Sequence, residues 1–184
     1  DTFINILNNL RTNKITKQDI EILNQYYKPE FKTSTGDNYI HLTTHNRKAD
    51  EINTEALKKI EGKSFYFKAS VTGEFNEYAY PVDETMELKK GAQIMFIKND
   101  PTGEQRFFNG KIGKIISIDN NKIEVDLEDK SSTLTLEKYE WKNVKYSLNE
   151  ATNEIEEKEI GTFTQYPIKL AWAITIHKSQ GLTF

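Results

Sequence analysis

Two short segments gather hydroxyls, an imidazole, an amide and a cation at the end of an apolar run: Leu42-Thr43-Thr44-His45-Asn46-Arg47 and Thr175-Ile176-His177-Lys178-Ser179-Gln180-Gly181. This mixture suits an oxyanion. A helix N-terminus offers unpaired N–H groups, and Thr, Asn and Lys side chains add donors. Residues 161–184 contain Lys169 and Lys178 and no Asp or Glu, whereas the whole chain has 25 Lys and Arg against 28 Asp and Glu, a net charge of −3. There is no overall basic field, so a nucleic-acid site has to be local. Backbone phosphates would use such donors without reading base edges. On chemistry alone two plainer readings stay open: an ordinary helix cap at Asn46, and a buried strand ending in a polar turn at 175–181.

Other constellations fail on physical grounds. Gly62-Lys63-Ser64 has the end of a phosphate-binding loop, G-x-x-x-x-G-K-S/T, but position 57 is Leu57 rather than glycine. A helix also runs into this segment, and the carbonyls at a helix C-terminus repel phosphate. It reads as a glycine cap followed by a strand. His41 and His45 are four apart on a strand-to-turn segment with no third ligand nearby, which argues against zinc. Zero cysteines exclude disulfides and thiolate metal sites. No apolar run approaches the ~20 residues that span a bilayer, and no membrane partner is expected.

The elements that must position the two segments follow from periodicity. In residues 1–28, Phe3, Ile6, Leu7 and Leu10 form one helical stripe. Thr16 and Asp19 have capping-box spacing ahead of Ile20, Leu23 and Tyr27. Pro29 stops that helix, and Lys32 to Asp37 reads as a loop. Tyr39–Thr43 reads as a strand that turns at 44–46 into a helix with Ala49, Ile52, Ala56, Leu57 and Ile60 on its buried face, a unit of an α/β sheet. Ser64–Val71 is a further strand. From about Glu84, short strands follow at Ala92–Lys98, Ile112–Ile118, Lys122–Leu127, Thr133–Glu137 and Ile160–Gln165. Turn chemistry such as Asp100-Pro101-Thr102-Gly103 and Asn109-Gly110 joins them, as in a small antiparallel barrel. The acidic stretch Glu150–Glu159 reads as a solvated loop or hairpin tip. Residues 168–176 read as a helix or a strand of the larger sheet, leading into the second segment.

The run Ala171-Trp172-Ala173-Ile174-Thr175-Ile176-His177-Lys178-Ser179-Gln180-Gly181-Leu182-Thr183-Phe184 closely resembles motif V of superfamily 1B DNA helicases of the Pif and RecD type. Leu88–Met95 and Phe108–Gly113 are similar to that family's inserted SH3-like barrel. Leu42–Asn46 with Ala49 and Asn53 is similar to the unit around motif IV. Phe3–Leu23 is similar to the helical stretch after the first motor domain.

The resemblance implies a fold and an organisation. The fold class is α/β: a RecA-like (P-loop NTPase-like) second motor domain with an inserted small all-β SH3-like barrel. Residues 1–36 would be a helical linker, 37–83 and 165–184 the split RecA-like domain, and 84–164 the barrel. It further implies that Thr175, His177 and Lys178, with Thr43, Thr44 and Asn46, hold the backbone of single-stranded DNA. Gln180 and Gly181 would lie at the nucleotide cleft, as would Thr183, where several relatives carry Glu.

The partners implied are single-stranded DNA and the first RecA-like domain of the same parent chain. ATP and Mg²⁺ would be used by a full-length 5′-to-3′ helicase that serves DNA repair and recombination in the cytoplasm. The chain has no Walker A loop, no Walker B strand and no motif VI, so this part alone is expected to bind neither cofactor and to be inactive, because phosphoryl transfer needs Lys, Mg²⁺ and Arg placed together. The alternatives are a non-enzymatic SH3-like binding module, or the helicase domain of a fusion to a nuclease or relaxase.

Overall fold

A computed structural model describes residues 2–31, 39–127, 133–149 and 154–179. The chain divides into two compact units, residues 1–39 and 40–184. The first carries α1 (Thr2–Arg11) and α2 (Lys17–Asn24). The expected capping box is present: the Asp19 N–H donates to Thr16 Oγ1 at 3.2 Å and the Thr16 N–H to Asp19 Oδ2 at 2.9 Å. Asn9 Nδ2 donates to the same carboxylate at 3.1 Å, which ties the two helices together. Of the α1 stripe, Ile6 is buried, while Phe3, Leu7 and Leu10 are exposed. The periodicity foretold the helix but not the cover of its face. The predicted loop Lys32–Asp37 lies outside the described residues.

The second unit opens with β1 (His41–Thr43), then α3 (Asn46–Lys59), β2 (Phe65–Lys68) and β3 (Ser70–Gly73). The buried face of α3 is Ala49, Asn53 and Leu57, with Ile52, Ala56 and Ile60 half-buried beside them. The helix ends before Gly62, whose φ of +112° is the left-handed conformation glycine adopts without a steric penalty, and β2 follows. The refused phosphate loop is thus a helix exit. A 3₁₀ turn (Glu77–Ala79) leads to β4 (Thr85–Leu88), β5 (Gln93–Phe96), β6 (Ile112–Ile118), β7 (Ile123–Asp126) and β8 (Thr133–Thr135). The chain closes with β9 (Tyr139–Asn149), β10 (Glu154–Gln165), β11 (Ile168–Leu170), β12 (Ala173–Thr175) and the short α4 (Ile176–Ser179).

The described residues form four sheets: a parallel pair β1-β12, an antiparallel pair β2-β4, a three-stranded β3-β10-β9 and a five-stranded β11-β5-β6-β7-β8. Four of the five short strands expected after Glu84 pair antiparallel in one sheet, whereas Ile160–Gln165 lies in β10 of the three-stranded sheet. The five-stranded sheet is open, with β11 and β8 at its edges, and among the described residues it does not close into a barrel. Strand β5 is buried on both faces. Ile94 and Phe96 enter the main core with Ile115, Ile123 and Ile168, while Met95 faces the other way toward Ala171 and Ile174. Phe96 stacks on Phe107 at a centroid distance of 4.1 Å. Full burial of each such side chain contributes on the order of 1.5–3 kcal/mol.

Two strands escaped the sequence reading. In β4, Met86 and Leu88 are buried between exposed neighbours. In β9, Trp141 packs beside the buried Phe163 of β10. The acidic stretch needs correction: residues 154–159 are not a loop but a strand arm, registered from Glu154↔Asn149 to Glu159↔Val144. Cross-strand backbone bonds hold it despite its charge, and Lys142 pairs with Glu159 at 2.8 Å. Its solvation and its place at the end of a hairpin agree with the reading, for these residues are exposed and lie at the far end of the antiparallel β9–β10 pair, while residues 150–153 lie outside the described residues.

Candidate nucleic-acid interface

The two polar segments come together because β1 and β12 are parallel neighbours, with His41↔Ala173, Leu42↔Ile174 and Thr43↔Thr175 in register. Parallel pairing puts the C-terminal ends of both strands on one side. The turn from β1 into α3 therefore stands beside the turn from β12 into α4. Ligands of open α/β sheets bind outside the carboxyl ends of such strands.

Side chains fix the first turn. The Thr43 hydroxyl lies 3.2 Å from the carbonyl of His45 and 3.3 Å from that of Ile174, sharing its proton between the two turns. Thr44 Oγ1 and His45 Nδ1 are 2.8 Å apart. His45, not Asn46, is the N-cap of α3, and its side chain caps no backbone N–H. Asn46 is the first helical residue. The first turn of α3 carries no acid, so the positive end of the helix dipole is not neutralised there. Arg47 is paired with Glu51 at 3.1 Å along the exposed face.

Thr44, Asn46 and His177 are exposed, Thr43 is half-buried and Thr175 is buried. Solvent thus meets Thr44, Asn46 and His177 first, with Thr43 and Thr175 beneath them. The side chain of Lys178 lies outside the described residues, as do Gln180, Gly181 and Thr183. Among the described residues no His, Cys, Asp and Glu group could hold a metal ion, and no helix is long and apolar enough to cross a membrane.

The sequence reading missed how strongly buried amides hold this region. Asn53 Nδ2 donates to the carbonyl of Ala173 at 2.9 Å, and the Ala173 N–H donates to Asn53 Oδ1 at 2.8 Å. Gln93 Nε2 donates to the carbonyl of Ala171 at 2.9 Å, and the Ala171 N–H donates to the carbonyl of Gln93 at 3.1 Å. Gln165 Nε2 donates to the carbonyl of Phe67 at 2.8 Å, while Gln165 Oε1 accepts from the N–H of Tyr166 at 3.0 Å. A buried amide is tolerated only when its donors and acceptors are met, and these are. One signal was available. Asn53 sits four residues from both Ala49 and Leu57, a polar residue inside an apolar stripe.

No family model matches the chain. Among curated proteins it is 28% identical over 186 residues to the ATP-dependent DNA helicase Pif1 of Bdellovibrio bacteriovorus, covering 98% of this chain and 39% of that one. Among solved structures it is similar to unliganded Pif1 from Bacteroides sp., at 37% identity with a TM-score of 0.87 over 99% of this chain and 41% of that one. It is also similar to the Bacteroides Pif1 helicase in complex with ADP-AlF3 and ssDNA, at 37% identity with a TM-score of 0.74 over 100% of this chain and 41% of that one. The chain spans about two fifths of the length of these three relatives. In sequence and in fold alike, it belongs with the Pif1-type DNA helicases and corresponds to a part of them.

Proposed function

We propose that this chain is the second RecA-like motor region of an ATP-dependent 5′-to-3′ DNA helicase, and that it supplies one of the surfaces gripping single-stranded DNA. The observation that carries this reading is the registration of Thr43 with Thr175, which sets the exposed Thr44, Asn46 and His177 around one edge. These groups, with Lys178, would hold backbone phosphates, while Thr43 and Thr175 shape the backbone beneath them. Gln180, Gly181 and Thr183 would face a nucleotide cleft completed by the first motor domain of the same parent. ATP and Mg²⁺ would be held in the complete protein, whose expected location is the cytoplasm. The similarity to a Pif1 solved with a nucleotide analogue and single-stranded DNA supports the reading.

In the domain organisation we propose, residues 1–36 are a helical linker, 37–83 and 165–184 the split motor domain, and 84–164 an SH3-like insertion. Supporting it, residues 1–39 form a compact unit of their own and the short antiparallel strands cluster after Glu84.

The test is a salt titration of oligonucleotide binding by the full-length helicase. Affinity should fall as salt rises from about 50 to about 200 mM, and His177→Ala with Lys178→Ala should weaken it and flatten the slope by roughly 0.7 per lost phosphate contact. Salt-independent binding, or variants that match the unaltered protein, would overturn the proposal.

A further inference from the structure

Among the described residues, strand β12 has a strand neighbour on one side, β1. On that side the His41 N–H donates to the carbonyl of Trp172 at 2.8 Å. Asn53 meets both the N–H and the carbonyl of Ala173, as a neighbouring strand would, but it does so from a helix. The same helix begins at Asn46, two turns earlier on the chain. One side chain therefore fixes where α3 stands along β12. It thereby reinforces the β1–β12 register in setting the offset between the Thr44–Asn46 turn and the turn that carries His177. Ala173 lies two residues ahead of Thr175, so this anchor stands next to where the gripping segment begins.

We propose that Asn53 is a positioning residue for single-stranded DNA: it touches no DNA itself but holds the two phosphate-gripping turns at their working separation. This rests on the function proposed above.

The experiment replaces the amide by a group whose donor can be switched. In Asn53→Asp the carboxylate keeps an acceptor for the Ala173 N–H but sets a second acceptor against the Ala173 carbonyl. Protonated, the same group donates an O–H to that carbonyl and accepts from the N–H, which restores both bonds. Burial and the facing carbonyl raise its pKa, because both disfavour the charged form. The titratable and charged groups on the elements packed together here are His41 on β1, His45, Arg47, Lys48, Asp50, Glu51, Glu55, Lys58 and Lys59 on α3 and its cap, and His177 and Lys178 on α4, while β12 itself has none. All are present in the unaltered protein, so the ratio of variant to unaltered affinity at each pH removes their contribution.

Full-length helicase with and without Asn53→Asp is assayed for binding of a fluorescent oligothymidine at pH about 8 and about 5.5, with the folded fraction measured in parallel. The variant should bind roughly tenfold more weakly at the higher pH, the loss expected from one buried hydrogen bond, and recover most of it at the lower one. Affinity equal to the unaltered protein at both values, with only the melting temperature changed, would make Asn53 merely structural and overturn the inference. If Asn53→Asp does not fold at the higher pH, Asn53→Ser takes its place. It should bind more weakly at both values without recovery at the lower one, and affinity matching the unaltered protein would overturn the inference. An unaltered protein that fails to bind would instead refute the function on which it rests.

Discussion

The Thr43 hydroxyl spans two strand ends: it lies 3.3 Å from the carbonyl of Ile174 while its own residue stands in register with Thr175. A side chain of the β1 turn thereby closes onto the β12 turn, and the two segments become one surface.

Replacing Thr43 by Val keeps the branched shape and removes that bridge. We expect a loss of about 1 kcal/mol in stability, the ordinary net worth of one hydrogen bond. Weaker oligonucleotide binding should accompany it, measured by anisotropy beside a denaturant titration. Unchanged binding would mean that the turns keep their separation without the hydroxyl.

Acid should loosen the loop at 100–106. The Asp100 carboxylate is almost wholly enclosed and accepts from Arg106 Nε at 2.8 Å, Arg106 Nη2 at 3.0 Å, the Arg106 N–H at 3.0 Å and Thr102 Oγ1 at 2.8 Å. The hydrogen bonds from Arg106 and Thr102 hold its pKa well below the usual carboxylate range. The folded value thus lies beneath the unfolded one of about 3.9. The associated stability is complete above about pH 4 and is lost as the pH falls below it toward the folded value. Asp100→Asn should cost about 2 kcal/mol at neutral pH and flatten the acid limb of a tryptophan-fluorescence unfolding curve. An unaltered acid limb would assign that sensitivity to other carboxylates.

Gln165→Leu should destabilise the fold more than its similar volume suggests, by about 2–4 kcal/mol. It takes the amide acceptor from the Tyr166 N–H and a donor from the Phe67 carbonyl in a dry interior. Chemical denaturation measures it, and a loss under about 1 kcal/mol would show that water replaces the amide.

The elements that position the surface were readable where one physical rule acted alone. Thr16 and Asp19 announced α2, alternation of Ile123, Glu124, Val125 and Asp126 announced β7, and the polar clusters at 43–46 and 175–177 announced the place where two strands end together. What stayed hidden depends on distant partners. Residues 154–159 look like solvated loop because nothing local reveals that residues 144–149 lie alongside. Closure of the antiparallel strands into a barrel was inferred from their number and spacing, which do not encode whether the edge strands meet. The three buried amides hid for a related reason. Asn53 and Ala173 are 120 positions apart, and only the folded chain shows that each completes the other.

Trp172 is the single residue between two clamps. On one side Ala171 is held by Gln93 of the five-stranded sheet, and on the other Ala173 is held by Asn53 of α3. With its own carbonyl taken by His41, the linker has little slack to absorb movement. The five-stranded sheet and β12, which leads into the helix carrying His177, are thus joined through one tryptophan whose neighbours are fixed on both sides.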